Sequence, residues 1–320
     1  MAGIEEAARE LKKRQSMGKD LEEKFKGVER IAEGPVVKES VMSRKVDEIK
    51  PQKVAGVDGG ISRRSYSHGE VVATRAVAAV FNFGEDGVES EYIPGKNPEP
   101  DFKVLDAVDR DSVESAAERE RLEKETSVAG KAIDRAGRVF MDGSVVPSYS
   151  GESGVIRKYE SLFRESSMGQ LVGVVEDSHG LKTSELIKEK LGIDVGRVRD
   201  TLMMDAILEE GERSFVRRYS KGPVEHPVLK KMDDDLVEKI HTFYIKISKK
   251  DLPLRIDYFG EVEDADRIAG ELSFMASSPS YTVPSPVVEA DRRAKIEGKV
   301  LERLERRFNP GLKRRNRRSF

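Results

Sequence analysis

A chain of 320 residues is long enough for one large domain or two ordinary ones. It has no cysteine, which excludes disulfides and thiolate metal sites, and no window approaches the roughly 18 consecutive apolar residues of a membrane span. Charged residues make up 36% of the chain at a formal net charge of −2, so the surface is heavily solvated and overall charge carries no nucleic-acid signal. The lack of cysteine fits a reducing compartment. The acidic, helix-forming start Met1-Ala2-Gly3-Ile4-Glu5-Glu6 is unlike a signal peptide, so a soluble, cytoplasmic protein is expected.

Residues 4–32 place Ile4, Ala7, Leu11, Leu21, Phe25, Val28 and Ile31 at near-helical spacing. They read as a charged amphipathic helix or helix pair, open to interruption at the polar stretch 15–19, and Gly34-Pro35 ends it. Residues 1–50 are accordingly an N-terminal helical arm, which packs on the core or pairs with a second copy. Next comes Val54-Ala55-Gly56-Val57-Asp58-Gly59-Gly60. A β-branched run bounded by glycine reads as a buried strand, 53–58, that delivers Asp58 to its C-terminal edge and then turns sharply; the glycines also let another group approach the backbone closely. Asp-Gly is also an ordinary turn dipeptide, so the rest of the chain decides what Asp58 does.

Residues 62–68 read as a polar turn, 70–83 as a long Val- and Ala-rich strand, and 88–93 as a third strand after the turn at Gly84-Glu85-Asp86-Gly87. Three strands with tight connections predict an antiparallel meander. Residues 109–136 form a long helix with Glu118, Leu122, Glu125, Ala129, Ala132 and Ile133 on one face. A glutamate on an inner face needs a reason, and a salt bridge is the usual one. The short apolar run 138–141 then closes on Asp142-Gly143-Ser144, repeating the pattern of strand, Asp and Gly.

Further helices are expected at 159–166, at 183–191 with Thr183 as N-cap, and at 198–208. The near-continuous apolar run 171–175 reads as a buried parallel strand ending in Glu176-Asp177-Ser178-His179. Residues 242–247 and 254–259 alternate as a hairpin. Helices at 264–275 and 287–308 flank a Ser- and Pro-rich loop at 277–286, and Pro310-Gly311 stops the last helix. The order of elements predicts one α/β domain with a mixed sheet. Between Arg306 and Phe320 there are seven Lys or Arg and no acid. That tail reads either as a contact for a polyanion or as a solubilising terminus.

If the first and fourth strands are neighbours, Asp58 and Asp142 face each other at the carboxyl ends of the strands, where sites gather in such sheets. Two close carboxylates repel unless a cation sits between them. With no Cys and few His, that cation is hard and oxygen-loving, Mg²⁺ or Mn²⁺. Two such ions about 4 Å apart would clamp the attacking and leaving oxygens in phosphodiester hydrolysis. The competing reading keeps both aspartates as turn residues.

Together these segments resemble the NurA nuclease family of archaea and some bacteria. The carrying residues are Val54 to Gly60, the acidic helix through Arg121, Glu125 and Ala129, and Phe140-Met141-Asp142-Gly143-Ser144. Ser280-Tyr281-Thr282-Val283-Pro284, followed by Glu289-Ala290-Asp291, resembles the family's last motif. The resemblance spans residues 50–300 and rests on the order and spacing of short motifs. It implies an RNase H-like core with added N- and C-terminal helices, and a Mn²⁺-dependent centre (Mg²⁺ as the alternative). It also implies 5′-to-3′ exonuclease and single-strand endonuclease activity on DNA, a ring-like homodimer, and work with the hexameric ATPase HerA in end resection. The matching site residues are Asp58, Glu125, Asp142 and Tyr281, with Asp291 as a further metal ligand; Glu118 and Glu123 stay open as alternatives on the Glu-rich helix. The implied layout is an arm at 1–50, a nuclease domain at 51–309 and a basic tail at 310–320.

One departure from the family pattern stands at Glu176-Asp177-Ser178, where a Ser-Lys pair is common and the nearest lysine here is Lys182. A lysine there contacts phosphate. Asp177 joining the metal site and His179 taking over the phosphate both stay open, beside His179 as a plain loop residue. Tyr281 reads as a base-stacking or phosphate-orienting side chain or as a packed core residue. Two other readings compete with a nuclease. One is a non-catalytic adaptor on the same fold. The other is an actin-like or sugar-kinase phosphotransferase, which lacks its second glycine-rich loop here.

Overall fold

The Val- and Ala-rich run predicted as a long strand is buried almost throughout, from Val71 to Val80, in the computed structural model of the protein. The structure describes residues 2–66, 69–106, 110–147, 153–176, 178–220 and 226–307, without the side chains of 2–3, 7–8, 10–17, 110–112 and 153. Asp177 and the basic tail at 310–320 lie outside the described residues.

In chain order the elements begin with α1 (Ala2–Phe25), β1 (Ser43–Lys45), β2 (Lys53–Tyr66), β3 (Gly69–Phe83), β4 (Val88–Ile93) and β5 (Asp101–Leu105). They continue with α2 (Arg110–Ile133), β6 (Arg138–Asp142), α3 (Ser153–Glu165), β7 (Leu171–Val175), α4 (Lys182–Leu191) and α5 (Asp200–Ile207). Then come β8 (Glu212–Ser214), β9 (Arg217–Arg218), α6 (Asp234–Val237), β10 (Ile240–Lys246) and β11 (Leu254–Phe259). The C-terminal part carries α7 (Asp264–Phe274), β12 (Ala276–Ser278), β13 (Tyr281–Pro284), α8 (Ser285–Ala294) and α9 (Gly298–Arg307). No helix among the described residues is long and apolar enough to cross a membrane.

The chain forms two compact units. The first comprises Met1–Lys50, Val174–Lys221 and Glu238–Pro284; the second comprises Pro51–Gly173, Gly222–Val237 and Ser285–Phe320.

In the second unit β4, β3, β2 and β6 lie side by side, with the opening residues of β7 next to β6. β2 runs antiparallel to β3 and parallel to β6, from Val54↔Arg138 to Val57↔Met141. This is the expected meander followed by a parallel strand, an α/β mixed sheet. β3 is paired along its far edge by two strands in succession, β5 over Glu70–Thr74 and β4 over Ala78–Phe83. That double pairing accounts for its length.

The expected sharp turn after Asp58 does not occur. β2 runs on to Tyr66, in register with β3 from Lys53↔Asn82 to Tyr66↔Gly69, so the polar stretch after residue 61 is strand as well. The glycines serve close packing rather than a turn. A Cβ at Gly56 would lie 2.1 Å from the carbonyl carbon of Pro286, and one at Gly60 would lie 2.0 Å from the carbonyl oxygen of Ala294. Those two atoms sit at opposite ends of α8. Side chains alternate along a strand, so residues 56, 58 and 60 share the face that α8 covers. Gly56→Ala is expected to cost about 1–3 kcal/mol, because the new methyl meets backbone and not a movable side chain; urea denaturation measures it.

One long final helix was expected, and the chain instead breaks between α8 and α9. Ile296 is buried in an apolar cluster with Tyr66, Val71, Ala73, Val300 and Leu301, and Gly298 opens the next helix. Reaching that cluster takes Ile296 out of the line of α8.

In the first unit α1 passes through the polar stretch at 15–19 without a break and stops at Phe25, short of residue 32. Beyond it the chain folds back on itself, with Ile31 N–H donating to Ser40 O and Gly34 N–H to Val37 O. Leu21, Phe25 and Ile31 pack with Leu186, Ile187, Met203, Met204 and Tyr244. β1, β8, β10 and β11 lie side by side in this unit, and β10 and β11 form the expected hairpin.

Thr183 does not cap its helix. α4 begins at Lys182, and the carboxylate of Asp200 accepts from Thr183 N–H at 3.0 Å and Ser184 N–H at 2.8 Å. A charged acceptor outcompetes a hydroxyl for those orphan donors. The Ser- and Pro-rich stretch 277–286 is not a loop; most of it pairs as the β12–β13 hairpin before α8 starts.

Candidate metal centre

Parallel pairing of β2 with β6 ends at Val57↔Met141. Asp58 and Asp142 are therefore the next residues on two neighbouring strands. Asp291 comes from α8, the helix that Gly56 and Gly60 admit against the same strand. One carboxylate oxygen from each of Asp58, Asp142 and Asp291 lies within 4.8 Å of the others. Asp58 is buried, Asp142 half-buried and Asp291 exposed, so the cluster grades from the sheet interior to solvent.

Glu125 approaches from α2 over the other face of β2. A Cβ at Gly59 would lie 3.0 Å from its Oε2, so the missing side chain makes room for this glutamate. Glu125 is only 3% exposed. Its Oε2 accepts from Arg121 Nη1 at 2.6 Å. Arg121 also donates from Nη2 and Nε to Glu118, at 2.6 and 3.1 Å. The three candidate glutamates thus have different surroundings. Glu118 is held by Arg121, Glu123 accepts from Lys158 Nζ at 2.9 Å, and Glu125 alone of the three is buried.

The site is electrostatically uneasy. Burial pushes the Asp58 carboxyl above the usual range; the Gly59 N–H bond works against this, and Asp291 adds to it. Burial likewise pushes Glu125 up to about 8, with Arg121 pulling it down and the charges of Asp58 and Asp142 adding to the rise. Burial opposes the charge on Arg121, yet Glu118 and Glu125 together hold its pKa above the ordinary value. Asp58, Asp142 and Asp291 crowd together at the ends of β2 and β6, while Glu125 lies outside that trio and shares Arg121 with Glu118. An all-oxygen donor set of this kind suits a hard divalent cation, which removes the repulsion.

The other predicted residues lie in the first unit. Tyr281 is 42% exposed on β13 and is not a packed core residue; its hydroxyl donates to Glu176 Oε1 at 2.8 Å. His179 is exposed. Lys182 places its Nζ 5.2 Å from the centre of the Tyr219 ring. The cation at Ser178 is instead Arg255, whose Nη1 donates to Ser178 Oγ at 2.9 Å while Nη2 donates to Asp257 at 2.9 Å.

Sequence reasoning named Arg121 without giving it a role and missed Arg255. Arg121 stands three residues after Glu118 and four before Glu125, the spacing at which helix side chains meet, so its role was available to inspection. Arg255 is brought to Ser178 by the sheet of the first unit, and no local spacing signals it.

A mixed sheet with carboxylates gathered beyond two adjacent parallel strands defines an α/β protein of the carboxylate-centred class. Within that class the sequence is specific: the NurA domain profile matches residues 52–296, and the chain belongs to the NurA family. The NurA nuclease from Sulfolobus solfataricus superposes with a TM-score of 0.59 at 17% identity, covering 96% of each chain. A structure of NurA with manganese aligns over 97% of this chain and 99% of its own, at 12% identity and a TM-score of 0.50. A structure of NurA bound to dAMP and manganese aligns over 83% and 90%, again at 12% identity and a TM-score of 0.50. At these identities the likeness concerns the fold. Comparison with curated proteins finds no match.

Proposed function

We propose that this chain is a metal-dependent nuclease that hydrolyses phosphodiester bonds in DNA. The observation that carries the proposal is the convergence of Asp58, Asp142 and Asp291 within 4.8 Å on a NurA-family fold. Those three carboxylates hold a divalent cation, Mn²⁺ with Mg²⁺ as substitute, and Glu125 completes the acidic set from α2. When bound, such an ion polarises the phosphoryl group and lowers the pKa of water. The chain's own contribution is placement. β2 and β6 fix two ligands on a rigid sheet, and α8 brings the third. Arg121 holds Glu125 in one orientation through a 2.6 Å hydrogen bond. Burial of Asp58 keeps bulk water from the inner side of the cluster. Asp291, being exposed, leaves the outer side open to substrate.

Membership of the NurA family supports a finer reading. In it the enzyme is a cytoplasmic homodimer that acts as a 5′-to-3′ exonuclease and single-strand endonuclease in DNA end resection with a hexameric HerA-type ATPase. Tyr281, 42% exposed, is a nucleotide contact of the first unit. The basic tail at 310–320 reaches DNA or the ATPase.

The test is cleavage of a labelled single-stranded oligonucleotide. Cleavage with Mn²⁺, lost on chelation and restored by added Mn²⁺, is expected. A folded protein inert with both Mn²⁺ and Mg²⁺ would leave the adaptor reading in its place.

A further inference from the structure

Just past Asp291, the chain builds a second feature of the same unit. The last turn of α8, the connection after it and the outer side of α9 enclose a groove of about 580 Å³. Its lining holds seven Lys or Arg against two acids, Glu297 and Glu302, and its one apolar side chain is Val300. Arg75 enters from β3, where it pairs with Gly60. Its Nη1 donates to Arg293 O at 3.2 Å, while its Nε is buried without a hydrogen-bond partner. Among the described residues, Lys295, Arg303 and Arg306 have no ion-pair partner, and all three are exposed. α9 is fastened by its apolar side, with Val300 and Leu301 set against Tyr66, Val71 and Ala73, so its basic side is held facing outward.

We propose that this groove binds the phosphates of a nucleic-acid strand beyond the bond that is cut, and so tracks the strand past the carboxylate cluster. The inference rests on the nuclease reading for its purpose. Two observations favour a phosphodiester backbone over a protein. The lining offers one aliphatic side chain, Val300, and no aromatic one, whereas stable protein interfaces centre on apolar and aromatic anchors. The groove also continues directly from α8, which carries Asp291, so a strand lying in it leads to the cluster. Arginines and lysines spaced along a groove are the expected footprint of backbone binding without base readout.

The test uses the full chain in chelator, so that binding is read whether or not the chain cleaves. Failure here is thereby distinct from failure of the nuclease reading. Binding of a short single-stranded DNA is followed by fluorescence anisotropy across a salt series. The variant is Lys295→Gln/Arg303→Gln/Arg306→Gln, all at exposed positions where folding is not at stake. The control, Lys239→Gln/Lys249→Gln/Lys250→Gln, makes the same charge change on the first unit. The groove variant should bind at least about tenfold more weakly at low salt. Its slope of log affinity against log salt should be shallower by about 0.7 for each phosphate that the protein no longer neutralises. The control should match the parent. Equal losses in both variants, an unchanged slope in the groove variant, or tighter binding of poly-glutamate than of DNA at equal charge would each overturn the proposal. The last of these outcomes would point to an acidic protein partner.

Discussion

Replacing Asp58 by Asn is expected to lower Mn²⁺-dependent cleavage by at least about a hundredfold while the protein stays folded. The two side chains have nearly the same shape, so β2 keeps its register and α8 keeps its seat. What changes is charge. In the cation-free protein the ionised Asp58 is disfavoured by burial and by Asp291. Removing it therefore leaves thermal stability equal to the parent's or somewhat higher. Added Mn²⁺ reverses the comparison, because a ligand that binds only the folded state raises the melting temperature. The parent should gain with Mn²⁺ and Asp58→Asn should gain little. Loss of activity with unchanged stability separates a functional carboxylate from a structural one. A folded variant with parental activity would remove Asp58 from the site.

Arg213→Met is expected to be the most destabilising single change in the first unit, at about 3–5 kcal/mol by chemical denaturation. The Arg213 side chain is 1% exposed. It donates from Nη1 and Nη2 to Glu39, at 2.6 and 2.8 Å, and from Nε to Asp266 at 2.6 Å. Glu39 in turn accepts from Val216 N–H at 2.8 Å and ties the chain after α1 to β8. Losing the guanidinium leaves the Glu39 carboxylate, whose side chain is 11% exposed, with only the Val216 N–H and a looser ion pair to Arg44 at 3.8 Å. Asp266, at 46% exposure, turns to water and to Arg44, which already donates to it at 2.8 Å. The cost thus comes mainly from Glu39, which loses its two short charged hydrogen bonds. Adding Glu39→Leu should recover part of the loss, because an apolar replacement of both partners removes the stranded charge. Recovery stays incomplete since Val216 N–H loses its acceptor. A double variant no better than the single one would place the cost in packing instead.

Asp58 and Asp142 were legible in the sequence because each follows a short apolar run, and parallel neighbours bring such ends together. Glu125 was legible because it interrupts an inner helical stripe. Gly59 and Gly60 after Asp58 were read both as a turn and as room for close approach, and only the second holds, with α8 and Glu125 as the groups that approach. Gly56 and Gly60, two strand repeats apart on one face, mark a close-packed helix as well as Gly-Gly marks a turn, and only the tertiary fold tells these apart. Asp291 came from family resemblance alone, since nothing local shows that α8 lies along β2. The cap of α4 was hidden for a similar reason. Thr183 is the local candidate, whereas Asp200 reaches the helix from 16 and 17 residues further along the chain. The break between α8 and α9 depends on Ile296 finding Tyr66 and Val71, partners contributed by a distant hairpin. Local pattern thus carried the elements and two of the three clustered carboxylates, and long-range packing carried the remainder.

The most direct test of the central claim is anomalous X-ray scattering from crystals of this protein grown or soaked with Mn²⁺. The account predicts an ion with oxygens of Asp58, Asp142 and Asp291 at about 2.0–2.3 Å. Manganese bound elsewhere, with those three carboxylates bare, would contradict it.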